Sequence, residues 1–146
     1  MNPAALPSPI ARVQAYFESI SPQSLAELDT LYAPDACFKD PFNEVRGVEP
    51  IRRIFEHMYT QVETPRFIVT SAFGDERQGF LAWDFLFLAP RLGPGEQVIR
   101  GATHLCFTSD GRIASHRDYW DAAEELYAKL PLIGRLMRWL QKRAAP

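Results

Sequence analysis

With 146 residues, the chain is long enough for one domain with its own hydrophobic core, since domains cluster at roughly 100–150 residues. Its composition of 47% hydrophobic and 23% charged residues excludes a disordered or fibrous chain. The formal net charge of −2 argues against a general electrostatic affinity for nucleic acid.

A proline-rich arm over residues 1–9 leads into the first predicted helix. Ser8 and Pro9 suit an N-cap and a first helical position. Apolar residues then recur at helical spacing: Ile10, Val13, Phe17 and Ile20. Tyr16 lies on the same side as Val13, so its hydroxyl either enters a cavity or makes an incidental hydrogen bond in the core.

Two further helices are predicted before the sheet. Ser21 caps and Pro22 opens the second, which we expect to end at Pro34. Its apolar stripe is Leu25, Leu28, Leu31 and Tyr32. The third helix follows residues 47–50. Its predicted buried face is Ile51, Ile54, Phe55 and Met58.

A short strand over residues 36–42 is predicted between these two helices. Pro41 interrupts it, because proline cannot donate a hydrogen bond to a sheet ladder. Asp40 is thereby placed at a strand end, near the mouth of the cavity. Its carboxylate either acts in a site there or caps the turn.

Four strands are predicted after the third helix, because the hydrophobic period changes from 3.6 to 2. They cover residues 66–73, 79–89, 96–107 and 112–120, with turn-like residues between them. Short loops indicate an antiparallel meander, and helices followed by strands indicate an α+β fold. We expect a cone-shaped, curved, mostly antiparallel sheet packed on three N-terminal helices, enclosing an apolar cavity.

Strand alternation selects the polar groups that face this cavity. His116, Asp118 and Trp120 share one face of the last strand, and Thr103 lies on the apolar face of the strand before it. If Trp120 faces the cavity, His116 and Asp118 face it too. Alternatively, Asp118 is held in a fixed ion pair with Arg117, Arg46 or His116.

Four stretches carry a resemblance to a known family: VQAYF at 13–17, LYAPDACFKDP at 31–41, RG with IR within 46–52, and HRDYW at 116–120. The chain resembles the nuclear-transport-factor-2-like superfamily, in the branch of ketosteroid isomerase and SnoaL-like polyketide cyclases. The resemblance covers about residues 10–121. It implies a domain over residues 1–121 and a C-terminal helical extension over 122–146.

The resemblance also implies roles for single residues. Asp40 matches the general base of ketosteroid isomerase, and Tyr16 matches its oxyanion-binding tyrosine. The third member, a protonated aspartate, is replaced here by Thr103, a weaker donor. Asp118 resembles the acid–base aspartate of SnoaL-like cyclases, with His116 able to relay a proton or to orient it.

The function expected from these residues is cofactor-free isomerisation or cyclisation of a small hydrophobic carbonyl compound, with Asp40, Tyr16, Asp118 and His116 as catalytic candidates. The candidate substrate-binding residues are Thr103, Trp120, Phe55, Met58 and Phe38. A non-catalytic protein that binds a small hydrophobic ligand, a dimerisation scaffold with a collapsed pocket and an epoxide hydrolase remain alternatives.

The cysteines and histidines point away from a metal site. Cys37 and Cys106 lie on separate predicted strands, outside any CxxC or His-flanked motif, and are interpreted as buried thiols in a reducing cytosol. The three histidines lack ligand spacing. The N-terminal arm has neither the basic start nor the long apolar stretch of a signal peptide, so we predict a cytoplasmic protein.

Both faces of the strand over residues 79–89 are apolar, which predicts a homodimer through the outer sheet face. Asp84 on that face would need a partner such as Arg100 or His104.

The C-terminal extension is predicted as a helix over residues 121–130, ended by Pro131, and an amphipathic helix over 132–142. Five of the 16 basic residues and none of the 18 acidic ones lie from Lys129 onward, so the preceding chain carries 11 basic residues and a net charge of −7. The last helix packs on its own domain or a dimer mate, caps the cavity, or lies on an anionic membrane.

Overall fold

A six-stranded sheet in the order β2-β1-β6-β5-β4-β3 organises residues 7–145, the part of the chain that this computed structural model describes. The strands are β1 Tyr32–Lys39, β2 Glu44–Arg46, β3 Glu63–Gly74, β4 Gln78–Leu88, β5 Glu96–Phe107 and β6 Ile113–Tyr119. Strands β3 to β6 form the predicted antiparallel meander, and β1 joins it parallel to β6. The predicted α+β class and the curved, unclosed sheet are confirmed.

Three helical segments precede the meander, as predicted. They are α1 Pro9–Glu18, a 3₁₀ turn Gln23–Glu27 that continues into α2 Leu28–Leu31, and α3 Val48–Gln61. The Ser8 hydroxyl accepts a hydrogen bond from the Ala11 amide at 3.4 Å, which confirms it as the N-cap of α1. Most of the arm predicted over residues 1–9 lies outside the described residues.

The prediction that the second helix runs to Pro34 was wrong, because the chain is already in β1 from Tyr32. Tyr32 pairs with Ile113 and Cys37 pairs with Ser115, and the register shifts between these two pairs. Pro34 lies in this irregular stretch, where its missing N–H costs no ladder bond. Strand β2, which pairs antiparallel with β1 after the Pro41 turn, was not predicted.

The hydrophobic core lies between the helices and the inner face of the sheet. On β4 the inner positions include Leu81, Trp83 and Phe87, which are all buried. Leu28 of α2 and Ile51 of α3 belong to the same buried cluster and have no exposed surface. In the described part of the chain, no helix is both long and apolar enough to cross a membrane.

The C-terminal segment covers part of the outer face. The helix predicted over residues 121–130 is instead α4 Ala122–Glu125 followed by a 3₁₀ turn Tyr127–Lys129. The Arg100 guanidinium on β5 bonds the buried Glu125 carboxylate at 3.0 Å, although Asp84 lies directly across from it. The Lys129 ammonium donates to the Val98 carbonyl at 2.8 Å. The boundary at residue 121 stays a prediction.

Elsewhere the outer face exposes aromatic rings. Phe73 stacks on Phe80 at 5.5 Å between ring centroids, and Phe80 stacks on His104 at 4.5 Å. Phe73 is 63% exposed. A homodimer through this face stays a prediction.

Truncating Ile51 tests the packing of α3 on the sheet. Ile51 is fully buried, so Ile51→Ala should lower the free energy of unfolding by about 2–5 kcal/mol in urea titration. Ile68→Ala removes the same atoms from a side chain that is 41% exposed. It should change the free energy of unfolding by no more than about 0.5 kcal/mol. Equal losses in the two variants would contradict this placement of the core.

Candidate active site

A network of hydrogen bonds lies on the inner face of the sheet, and two of its hydrogen bonds converge on Asp118. The register of β5 and β6 places Thr103 opposite Asp118 and Leu105 opposite His116. The Thr103 hydroxyl donates to Asp118 Oδ1 at 2.6 Å, and His116 Nε2 lies 2.7 Å from the same oxygen. Among the partners considered for Asp118, it is therefore His116, and neither Arg117 nor Arg46, that lies within hydrogen-bond distance of its carboxylate.

Tyr32 continues the chain on the far side of His116. Its hydroxyl oxygen lies 2.7 Å from His116 Nδ1, and its side chain has no exposed surface. Burial raises the pKa of Tyr32 well above its ordinary value, so the hydroxyl keeps its proton. A proton on Nδ1 would leave the tyrosine hydrogen with no acceptor among the described residues. The consistent assignment is Tyr32 donating to Nδ1 and His116 Nε2–H donating to Asp118.

Trp83 completes the chain from the other side. Its indole N–H donates to the Thr103 hydroxyl oxygen at 2.8 Å, so that hydroxyl is free to donate only to Asp118. Gly101 lies directly across from Trp83, and a Cβ there would overlap the indole ring. The absence of a side chain at Gly101 therefore lets the indole reach Thr103.

The cavity beside this network is small. Its volume is about 30 Å³, close to the space that one water molecule occupies in the liquid. The residues around it are Phe17, Phe55, Phe67, Val69, Leu81, Trp83, Thr103, His116 and Asp118. Phe17, Phe38 and Tyr32 also pack their rings around the His116 imidazole. Aromatic side chains therefore fill most of the hollow predicted to hold a ligand.

A second, more open groove of about 550 Å³ lies at the end of β1 and β6. The residues around it are Lys39, Asp40, Pro41, Arg117, Asp118, Tyr119, Trp120 and Asp121. Asp118 lines both spaces. Its Oδ2 has no hydrogen-bond partner within residues 7–145. One carboxylate oxygen is thus held by the network while the other is free at the junction of cavity and groove.

Asp40 and Tyr16 are not among the residues around the inner cavity. Asp40 Oδ1 accepts hydrogen bonds from the backbone amides of Phe42 and Asn43 at 2.8 and 2.6 Å, which is the turn-capping alternative. It does line the outer groove together with Asp118. The Tyr16 hydroxyl donates to the Ser24 carbonyl at 2.9 Å, and burial raises its pKa.

The candidate substrate-binding residues are divided between the two spaces. Thr103 and Phe55 line the inner cavity, and Trp120 lines the groove, where its ring meets Phe42 edge-on at 5.5 Å. Phe38 is buried against Phe55 and His116. Met58 is partly buried against the core.

The sequence analysis missed Tyr32 and Trp83 as members of the site. A glycine in the middle of an apolar strand, Gly101, was the available signal for Trp83. Tyr32 carried no such signal, because it was assigned to a helical stripe. Within residues 7–145, no cluster of three or more His, Cys, Asp or Glu side chains is arranged to hold a metal ion.

Comparison with known proteins gives a family and a fold. A family model described as SnoaL-like domain matches residues 13–116. No curated protein sequence matches the chain. The three solved structures described next are at most 21% identical to this chain in sequence. At that identity they show the fold alone.

The first is a Catenulispora acidiphila protein with a ketosteroid isomerase-like fold in complex with trimethylamine, with a TM-score of 0.69, 21% identity, and coverage of 87% of this chain and 96% of that one. An LEH-like epoxide hydrolase from M. tuberculosis has a TM-score of 0.67, 17% identity and coverage of 91% and 96%. A SnoaL-like polyketide cyclase assigned as such only provisionally, from Shewanella putrefaciens, has a TM-score of 0.67, 19% identity and coverage of 83% and 97%.

Replacing Tyr32 by Phe tests the hydrogen-bond chain through alkaline pH. Because the folded-state pKa of Tyr32 is raised, the folded chain holds a proton that the unfolded chain releases above about pH 10. The free energy of unfolding should therefore fall as pH rises past 10, by up to about 1.4 kcal/mol per pH unit for this group. Tyr32→Phe should make that fall shallower in urea titrations at several pH values.

Tyr32→Phe should also lower the free energy of unfolding by about 1–3 kcal/mol at neutral pH, because His116 Nδ1 is left without its buried hydrogen-bond donor. Tyr119→Phe is the matched control, since Tyr119 is 50% exposed and should show neither effect. A pH slope that is the same in native protein and Tyr32→Phe would contradict the assignment.

Proposed function

The chain belongs to the SnoaL-like domain family, and from that premise we propose that it is a cofactor-independent acid–base enzyme acting on a small carbonyl compound. Asp118 takes and returns the proton in this proposal. His116 and Thr103 position its carboxylate. The reaction class is isomerisation or cyclisation through an enol or enolate.

One observation carries the proposal: Asp118 has one oxygen fixed and the other free. Oδ1 accepts hydrogen bonds from Thr103 and His116. The Thr103 hydroxyl in turn accepts a hydrogen bond from Trp83, and His116 Nδ1 accepts one from Tyr32. The carboxylate is thereby held in one orientation with Oδ2 directed away from its own network. A positioned carboxylate of this kind is suited to general acid–base catalysis, because the cost of orienting it is already met in the fold.

The chemistry requires only a proton shuttle. Asp118 Oδ2 removes a proton from the carbon next to the carbonyl, and the electron pair of the broken C–H bond is delocalised into an enolate. The same carboxyl then returns the proton to another carbon of the enolate, which completes an isomerisation. In a cyclisation, the enolate carbon instead attacks a second carbonyl carbon of the same molecule, the π bond of that carbonyl breaks, and the carboxyl gives its proton to the resulting alkoxide. The Tyr16 hydroxyl, which donates to Ser24, gives no hydrogen bond to the enolate oxygen in this arrangement.

The two spaces around Asp118 limit the substrate pose. A cavity of about 30 Å³ cannot enclose even a small ketone, whereas the groove of about 550 Å³ can. We therefore place the substrate in the groove, against Trp120 and Pro41, with its reacting carbon toward Oδ2. This pose also gives the groove's Lys39 and Arg117 access to the polar end of the substrate.

An epoxide-opening hydrolase is a second candidate, favoured by the water-sized room beside Asp118. There the carboxylate would remove a proton from a water molecule in that space as the water oxygen attacks the epoxide carbon and the carbon–oxygen bond of the ring breaks. The resulting alkoxide would take up the proton from the carboxyl, which gives the diol. A non-catalytic binder of a hydrophobic ligand is less well supported, since the aromatic side chains leave the inner cavity too small for one.

The test compares two carboxylates that line the same groove. Asp118→Asn should reduce turnover by about 10²–10⁴-fold, because an amide cannot accept the substrate proton. Asp40→Asn keeps a side-chain oxygen for the Phe42 and Asn43 amides and should retain turnover within a few-fold. The assay is conversion of small β,γ-unsaturated ketones to their conjugated isomers, followed by ultraviolet absorbance.

A parallel assay with a small epoxide and isotopically labelled water separates the second candidate, because label would appear in the diol. Equal activity of the native protein and Asp118→Asn in both assays would refute Asp118 as the acid–base group. Loss of activity in Asp40→Asn alone would instead assign the reaction to Asp40, as the resemblance to ketosteroid isomerase implies.

A further inference from the structure

The last helix, α5 Pro131–Ala144, contacts its own domain through its polar side. Gly134 is its buried residue, and a Cβ at that position would overlap the Ala128 carbonyl oxygen. Arg138, one turn further on, donates to the same oxygen at 2.6 Å. The helix therefore lies against the 3₁₀ turn Tyr127–Lys129 with the side opposite its apolar stripe.

The apolar stripe of α5 consequently faces solvent. Its exposed members are Leu132, Ile133, Leu136, Trp139 and Leu140. Leu132 is 80% exposed, and each of the others is more than 40% exposed. The apolar stripe of α5 therefore does not pack on its own domain. The other form of the first alternative from the sequence, packing on a dimer mate, stays a prediction. The described side chains of α5, which begin at Leu132, do not border the inner cavity, so they do not cap it.

The charges around this stripe are of one sign. No acidic residue follows Glu125, and α5 carries Arg135, Arg138, Lys142 and Arg143. The Arg143 guanidinium lies over the Trp139 ring, 5.0 Å from its centroid. A tryptophan with a basic residue beside it at the edge of an apolar face suits the boundary between lipid headgroups and acyl chains.

We propose that α5 lies in the surface of an anionic phospholipid membrane, with its apolar stripe in the acyl region and its basic side chains among the headgroups. At 14 residues the helix is about 21 Å long, which is shorter than the hydrocarbon core of a bilayer. It therefore lies along the membrane plane.

A second copy of the chain is a poorer occupant of the stripe. Two α5 helices packed face to face would bring basic side chains together with no acidic partner in either helix. An anionic membrane complements both the apolar stripe and the basic flanks. It also leaves the acidic remainder of the chain, with its net charge of −7, directed away from the lipid, because α5 meets that remainder through its opposite side.

The test is flotation of the full chain with lipid vesicles. We expect binding to vesicles of phosphatidylcholine and phosphatidylglycerol in equal parts, weak binding to phosphatidylcholine alone, and release as salt is raised. Leu136→Glu with Leu140→Glu should lower binding at least about tenfold. Arg135→Gln with Lys142→Gln should lower it on anionic vesicles only.

Ile68→Glu with Phe73→Glu is the matched control, because it places the same two charges on exposed apolar positions of β3. Its binding should equal that of the native chain, and thermal unfolding should show all three double variants folded. Absence of binding to anionic vesicles, or undiminished binding of Leu136→Glu with Leu140→Glu, would overturn the proposal. The proposal would also be overturned if sedimentation showed the native chain as a dimer and Leu136→Glu with Leu140→Glu as a monomer, while vesicles bound none of the proteins.

Discussion

The pairing of β5 with β6 is the constraint on which the site depends. It places Thr103 opposite Asp118, so one carboxylate oxygen receives hydrogen bonds from two adjacent strands. The turn between these strands is closed by the Thr108 amide donating to the Arg112 carbonyl at 2.8 Å, with Gly111 at a φ of 82° that favours glycine. A slip of one residue in this register would turn both His116 and Asp118 to the outer face.

The polar chain from Tyr32 to Trp83 also explains why so polar a set of groups can be buried. Each donor in it has one acceptor, and all the donated hydrogens lead to the single negative group, Asp118. Buried polar groups are tolerated when they are paired in this way and are costly when one partner is missing. The surrounding phenylalanine rings lower the local dielectric constant, which strengthens these hydrogen bonds, but they also occupy the space that a ligand would need. Asp118 borders both spaces, so in the proposed function the inner network orients its carboxylate while the substrate binds in the outer groove.

The C-terminal segment does two different things within a short length. Its first part, through Glu125 and Lys129, bonds to β5 and covers part of the outer face. Its second part, α5, meets this cover through Gly134 and Arg138 and directs its leucines outward. The uneven charge of the chain coincides with the same division, because all residues from Lys129 onward are basic or neutral.

The sequence by itself determined the fold class, the four-stranded meander and the faces of its strands, because these follow from local periodicity and from turn residues. It missed β2 and the early start of β1 at Tyr32. It also identified His116, Asp118 and Thr103 as facing the interior, since alternation decides this one strand at a time. Only the tertiary structure decided which side chains meet. The role of Tyr32 depends on β1 lying parallel beside β6, and the turn-capping contacts of Asp40 depend on side-chain orientation after Pro41. Cavity volume is likewise a sum over distant packing contacts, which no local pattern encodes. The outward direction of the α5 stripe depends on Gly134 and Arg138 meeting the Ala128 carbonyl oxygen.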